Sequence, residues 1–467
     1  RMGDSYMGTW FEKLQSIGMS LMLPIAVLPA AARLMRLGAP DVLDIPFITK
    51  AGGSIFDNLA LIFSIGIATG LAKDSNGAAG LAGAIAYLVL TSGLKAIDPA
   101  LDMSVLAGIL SGIEAGLLYN RFHSIRLPEF LGFFGGRRFV PIAAAVVSIV
   151  LAVIFGIIWG PCQAFIHAVG EWIIGAGVIG TFVYGVLNRL LIPFGLHHIL
   201  NSFIWFVFGA YRMPDGTIVT GDLNRFFAGD PHAGMFMAGF YIMMMFGMPA
   251  VALAMYHEAK KENRHKIAGA LASVAFTAFL TGITEPIEFM FMFIAPMLYG
   301  IHAILTGLAM SFAYAFGVLH GFGFSAGFID YVLNWGLATK PIFILPLGLA
   351  FGVIYYVVFR WAIRTYDLPT IGRGDDIEFE ESTDEDVLSN AYVETLVANL
   401  GGLDNLEEVG SCVTRLRLIV KDPTKIDEHV LRHMGVRGVF SSGNAVQVVI
   451  GTRAELIANA IKELGRR

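Results

Sequence analysis

The sequence predicts a polytopic α-helical membrane domain of about ten transmembrane helices plus re-entrant segments, followed by a small C-terminal α/β domain. Three observations carry this. Of 467 residues, 56% are hydrophobic and 15% charged, where soluble domains average about 45–50% and 25%. Stretches free of charge and roughly twenty residues long recur between Ile17 and Phe359, among them Val140–Trp159, Ala233–Tyr256 and Pro341–Phe359, each enough to cross a bilayer as a helix. After Arg364 the composition turns abruptly polar, with eight carboxylates in the twelve residues from Asp375 to Asp386.

That acidic run repels itself and reads as a solvated linker. The expected organisation is therefore a membrane domain over 1–370, a linker over 371–389 and a soluble domain over 390–467. Ile17–Ala32 leads into further spans, so it is expected to remain as a helix and not to be cleaved. Trp10-Phe11 with Lys13 suggests a short interfacial helix before it. Basic clusters at Arg121/Arg126, Arg137/Arg138, Lys260/Lys261/Arg264/Lys266 and Arg360/Arg364 flank apolar spans, and the positive-inside tendency puts them, and the tail that follows, in the cytoplasm. Charge does not settle the side of the polar segment Tyr211–His232.

In the tail, Val393, Leu396, Val397 and Leu400 share one helical face, and Glu407–Val420 alternates like strands with a polar break near Ser411. Lys425–Met434 reads as a helix. Gly438–Ser441 and Ala445–Ile450 read as strands joined by Ser442-Gly443-Asn444, and Arg453–Leu464 as a closing helix. The order helix, strand, strand, helix, strand, strand, helix fits an antiparallel four-stranded sheet with helices on one face.

Several function classes drop out. There is no basic stripe for nucleic acid and no GxxxxGK[ST] loop for nucleotide hydrolysis. Two distant cysteines, Cys162 and Cys412, and scattered histidines give neither a disulfide framework nor a metal cluster. No cofactor is expected.

Four constellations remain. In Cys412-Val413-Thr414-Arg415-Leu416-Arg417, an extended strand puts Arg415 and Arg417 on one face and Leu416 and Leu418 on the other. Two guanidinium groups near the sulfur favour its thiolate and suit a phosphoryl group; the alternative is a buried cysteine acting as a small hydrophobe beside surface arginines. Gly282-Ile283-Thr284-Glu285-Pro286-Ile287-Glu288-Phe289 places carboxylates in an apolar stretch, the mark of a substrate or ion path. Pro286 breaks helical continuity there, which requires protein or a wet cavity alongside. Glu285 in an interfacial loop is the competing reading, and a structural hydrogen bond explains Glu288 equally well. Pro193-Phe194-Gly195-Leu196-His197-His198 with Asn201 offers donors and acceptors at a broken backbone, as a polyhydroxylated ligand requires, though satisfied structural histidines read the same way. His320-Gly321-Phe322-Gly323-Phe324-Ser325-Ala326-Gly327 is either a close-packing loop or a backbone surface touching ligand.

Together these residues resemble the sugar permeases of the phosphoenolpyruvate-dependent phosphotransferase system, in the glucose superfamily. FFGGRRFVPI (Phe133–Ile142), GLHHILN (Gly195–Asn201) and GITEPIEF (Gly282–Phe289) are similar to its IIC domain, and SCVTRLRL (Ser411–Leu418) and VQVVIG (Val446–Gly451) to its IIB domain. LPIAVLPAAARLMRLGAPD, AGGSIFDNLALIFSIG, GDLNRFFAGDPHAGMFMAGF and HGFGFSAGFIDY are more similar to the N-acetylglucosamine branch than to the glucose or maltose ones.

The resemblance implies that Cys412 takes phosphate from the phosphohistidine of a separate, glucose-type IIA protein, because no IIA domain follows IIB before Arg467. Arg415 and Arg417, with Thr414 and Gln447, would hold it. The sugar would lie on His197, His198, Asn201, Glu285 and Glu288, with Glu285 or His197 taking the proton as phosphate passes to O6. A homodimer in the bacterial inner membrane, a cytoplasmic IIB domain and an elevator-like movement are implied too. Glucose or maltose specificity, or an ion-coupled transporter with a regulatory cysteine domain, are the competing expectations.

Overall fold

The computed structural model describes residues 13, 16–18, 20–21, 24–193, 197–292, 295–323, 325–373, 390–411, 415–451 and 453–466. Trp10-Phe11, most of the acidic linker, and Phe194–Leu196, Phe324, Cys412 and Thr414 among the singled-out positions lie outside the described residues. The chain divides into two compact units, Lys13–Tyr241 with Thr306–Leu347, and Ile242–Leu305 with the chain from Gly348 onward.

The first unit is built on α1 (Leu28–Leu37), α2 (Pro46–Asp57), α3 (Leu59–Leu71), α4 (Gly77–Ile97), α5 (Ser104–Phe122), α6 (Phe139–Gly175), α7 (Val178–Leu191) and α8 (His197–Phe206). Small residues let these helices approach closely, as packing in lipid demands. Gly108, Gly112 and Gly116 form one stripe of α5 against α3. A Cβ on Gly112 or on Gly116 would stand 2.7 Å from the Cβ of Ile67 or Leu71 respectively. Gly83 of α4 meets the same helix, at 2.5 Å from the Ser64 carbonyl oxygen for an added Cβ.

The polar segment after α8 folds into a hairpin, β1 (Ala210–Arg212) against β2 (Ile218–Thr220), and then α9 (Asp222–Phe227). α10 (Ala238–Ile242), a π-helical turn at Met243–Gly247 and α11 (Met248–Glu258) make one continuous span. α12 (Arg264–Thr281), α13 (Glu285–Met292), α14 (Pro296–Ala315), α15 (Phe328–Leu333) and α16 (Ile344–Thr365) complete the membrane region.

Among the described residues five helical segments are long and apolar enough to span, and six if α2 and α3, bent by 55° at Asn58, count as one. By length and apolar composition, the described residues therefore do not confirm the expected ten. α7 has only 14 residues, α1 and α8 ten each and α13 eight. α5 and α12 have the length but are less apolar than the others. A hydropathy reading counts apolar stretches, whereas the backbone breaks several of them into partial helices.

The tail folds as α17 (Asn390–Asn399), β3 (Leu406–Ser411), β4 (Arg415–Val420), α18 (Glu428–His433), β5 (Gly438–Ser442), β6 (Ala445–Val449) and α19 (Ala454–Leu464). The element order is the one predicted. The antiparallel sheet runs β3-β4-β6-β5, and Leu416, Leu418, Val446 and Val448 form a core with Leu396, Leu400, Leu431, Ile457 and Ile461 of the helices. Alternation along β4 and β6 thus sends one set of side chains to the helices and the other, Arg415, Arg417 and Gln447, to the opposite face.

Candidate functional site

The histidine cluster lies in the first unit. α8 starts at His197 after the break at Pro193, and His197, His198 and Asn201 are all buried. The two imidazoles lie 3.9 Å apart between ring centroids. One helical turn separates His197 from Asn201, so both occupy one face. Asn201 Oδ1 accepts from the Tyr184 hydroxyl at 2.7 Å and from Asn188 Nδ2 at 2.8 Å. Asn188 Oδ1 in turn accepts from Arg189 Nη2 at 2.7 Å, and the Arg189 guanidinium sits 5.4 Å from the Phe240 ring centroid. The Asn201 oxygen is thus doubly engaged. Sequence reasoning missed Tyr184, Asn188 and Arg189; the available signal was an Asn-Arg pair inside an apolar helix.

In the other unit, α12 ends at Gly282, whose φ of 74° gives the left-handed cap that glycine adopts without strain. The helical break therefore lies at 282–284. Thr284 is buried, and its carbonyl accepts from the amides of Ile287 and Glu288 at 3.1 and 2.9 Å. Glu285 and Pro286 form the first turn of α13, where a missing amide donor costs nothing. Pro286 thus starts a helix and does not interrupt one. The two carboxylates differ: Glu285 is half-buried, while Glu288 is sealed 3.7 Å from His302 Nε2, whose Nδ1 lies 2.9 Å from the Tyr355 hydroxyl. The His302 contact of Glu288 is an ion-pair distance, longer than a hydrogen bond. Glu285, at the positive end of the helix, is the more accessible acceptor.

The His320 loop resolves toward packing. His320 is fully buried, its Nδ1 accepts from the Gly321 amide at 2.9 Å, and its Nε2 lies 3.1 Å from the Tyr331 carbonyl oxygen. The ring also stacks on Tyr331, at 5.3 Å between centroids. Tyr241 and Asn334 both donate to the Gly321 carbonyl, at 2.6 and 2.8 Å. These bonds commit both ring nitrogens to backbone.

On the tail, Arg417 and Gln447 face each other across β4 and β6, and Arg415 Nη1 donates to Gln447 Oε1 at 2.5 Å. All three are buried, Arg415 completely, so the arginines are not surface residues. Cys412, Val413 and Thr414 link β3 to β4 in sequence, and the sulfur's surroundings lie outside the described residues.

The family model for "Phosphotransferase system, EIIC" matches residues 18–307 and that for "phosphotransferase system, EIIB" matches residues 394–427. The N-acetylglucosamine-specific EIICB component of Bacillus subtilis (strain 168) is 50% identical over 450 residues, covering 96% of this chain and 98% of that protein. This chain belongs to the phosphotransferase-system EIICB family. The N-acetylglucosamine-specific EIICBA component of Escherichia coli (strain K12) is also 50% identical, over 97% of the EIICB chain and 71% of its own length. A glucosamine-specific EIICBA component of Bacillus subtilis is 44% identical over 97% of the chain and 74% of its own. With the apolar spans, membership makes this EIICB chain a membrane protein.

Proposed function

We propose that this chain carries N-acetylglucosamine across a bacterial inner membrane and releases it inside as the 6-phosphate. The observation that carries the reading is likeness over nearly full length to N-acetylglucosamine-specific EIICB relatives, together with the family's arginine pair and glutamate motif at Arg415, Arg417 and Glu285.

In the first step the Cys412 thiolate attacks the phosphohistidine of a separate, glucose-type EIIA protein. The N–P bond breaks, an S–P bond forms, and the imidazole leaves neutral after taking up a proton. Arg415 and Arg417 hold the resulting phosphocysteine through charge-assisted hydrogen bonds, with Thr414 and Gln447 alongside. In the second step the sugar O6 attacks phosphorus, the S–P bond breaks and the thiolate leaves. The hydroxyl proton passes to Glu285 or His197.

His197, His198, Asn201, Glu285 and Glu288 hold the sugar, Glu288 through its support of the Glu285 turn. The NH2 donors of Asn201 suit an acceptor such as an acetamido carbonyl oxygen. The tail works on the cytoplasmic side, the protein acts as a homodimer with an elevator-like movement, and the charged product cannot return through a site built for a neutral sugar.

The test is reconstitution in vesicles with phosphoenolpyruvate, the general carrier proteins and a glucose-type EIIA protein. Labelled N-acetylglucosamine should accumulate as its 6-phosphate, with glucosamine, glucose and maltose competing poorly, and Cys412→Ser should accumulate none. Release of unmodified sugar alone sinks the reading; preference for another of the sugars moves the specificity and keeps the chemistry.

A further inference from the structure

Away from the sugar and phosphoryl residues, three guanidinium groups converge on one buried carboxylate, Glu258, at the C-terminus of α11. Its side chain is 5% exposed and bonds Arg360 Nε at 2.8 Å and Arg364 Nε at 2.7 Å, both from α16, and Arg373 Nη1 at 3.4 Å. Arg373 also donates to the Glu258 carbonyl oxygen at 3.2 Å and to Asp367 at 2.7 Å. Arg373 belongs to no helix; it follows the end of α16 on the path to the tail.

The residues before it are fastened to the same place. Thr370 and Ile371 are buried, and the Gly372 carbonyl accepts from the Lys260 amide at 3.1 Å and from Asn263 Nδ2 at 3.0 Å. Gly372 lies so close to the corner between α11 and α12 that an added Cβ would stand 2.8 Å from the Ala259 Cβ and 2.9 Å from Ile267 Cδ1. The polypeptide is therefore held on the α11–α12 corner as far as Arg373, well past Thr365 where α16 stops. The other end of α12 leads through Gly282 to Glu285.

We propose that Glu258 is a positioning residue for phosphoryl transfer: it clasps Arg373 and so fixes the start of the tail's linker to the helix that presents the Glu285 turn. Fixing that origin raises the effective concentration of the phosphorylated tail at the sugar without touching either reacting group. The inference rests on the tail-to-sugar transfer proposed above.

The experiment uses the full chain in vesicles. Cys412 is loaded with labelled phosphate, excess N-acetylglucosamine is added, and a single turnover is timed. Arg373→Gln and Glu258→Gln should slow transfer by about 10-fold, with sugar affinity and the rate of Cys412 loading as in the parent chain; Glu258→Asp should recover part of the rate. Should Glu258→Gln fail to fold, Arg373→Gln decides, since it leaves the Arg360 and Arg364 bonds in place. Unchanged transfer, or a loss matched by equal losses in affinity or loading, overturns the proposal. A parent chain that loads Cys412 but transfers nothing refutes the proposed function instead.

Discussion

Glu285 and Glu288 stand within one turn of each other on α13 and meet different surroundings. Glu288 is enclosed beside His302, whereas Glu285 is half-buried where the helix begins. A hydrogen bond to a charged group contributes about 1.5–3 kcal/mol, so Glu285→Gln should weaken sugar binding by about tenfold or more while Cys412 is still phosphorylated; titration calorimetry beside phosphate labelling checks both halves. On the tail, the Thr424 hydroxyl and then its amide hold the Asp422 carboxyl below its ordinary value, at 2.6 and 3.0 Å. A depressed carboxyl stabilises the fold above the ordinary Asp pKa of about 3.9, and that contribution is lost as pH falls through the lowered value. Thermal melts should therefore separate Asp422→Asn from the parent chain at neutral pH and converge in acid. The paired arginines and the GITEPIE run were legible because charge inside an apolar stretch, or at alternating strand positions, is uncommon enough to notice. Tyr184 and Asn188 were not, because their value lies in meeting Asn201, 17 and 13 residues away. The two readings of the His320 loop could not be separated for the same reason: its partner carbonyl belongs to Tyr331.

Elements differ in how much of themselves they announce. The tail's seven elements could be read in order because period two and period 3.6 alternate cleanly there, and the Ser442–Asn444 turn marks one hairpin. The position of β6 between β4 and β5 depends on pairing, which no local pattern contains. In the membrane, the break before Glu285 was expected at Pro286, but Gly282 ends α12 and Pro286 opens α13; proline in a first turn is compatible with a helix. The glycine stripe of α5 was likewise invisible until α3 lay against it. It carries a prediction of its own. Gly112→Ile would force side-chain atoms into Ile67 and the Ser64 carbonyl oxygen, at 2.7 and 2.9 Å from the first carbon alone. Overpacking of this kind costs about 1–3 kcal/mol or more, so the variant should melt well below the parent chain in detergent, while Gly132→Ala, where an added Cβ meets nothing within 4 Å, should not.

At the scale of the molecule, hydropathy gave the membrane class but not which apolar stretches are full spans among the described residues, because short and bent helices share the apolar composition of whole ones. It also could not show that Ile242–Leu305 belongs with Gly348 onward and not with its sequence neighbours. One helix exceeds what its compartment can hold. α6 continues unbroken for 37 residues, about 55 Å at 1.5 Å per residue, against a hydrocarbon core of about 30 Å. A tilt of about 40°, the upper end for such helices, still leaves roughly 42 Å along the normal. Its far end, past Pro161, accordingly carries Gln163, which accepts from the Asp102 amide at 3.1 Å, and the exposed pair His167 and Glu171. The helix is longer than the oil is thick, so a thicker or thinner lipid film changes how much of it is wetted.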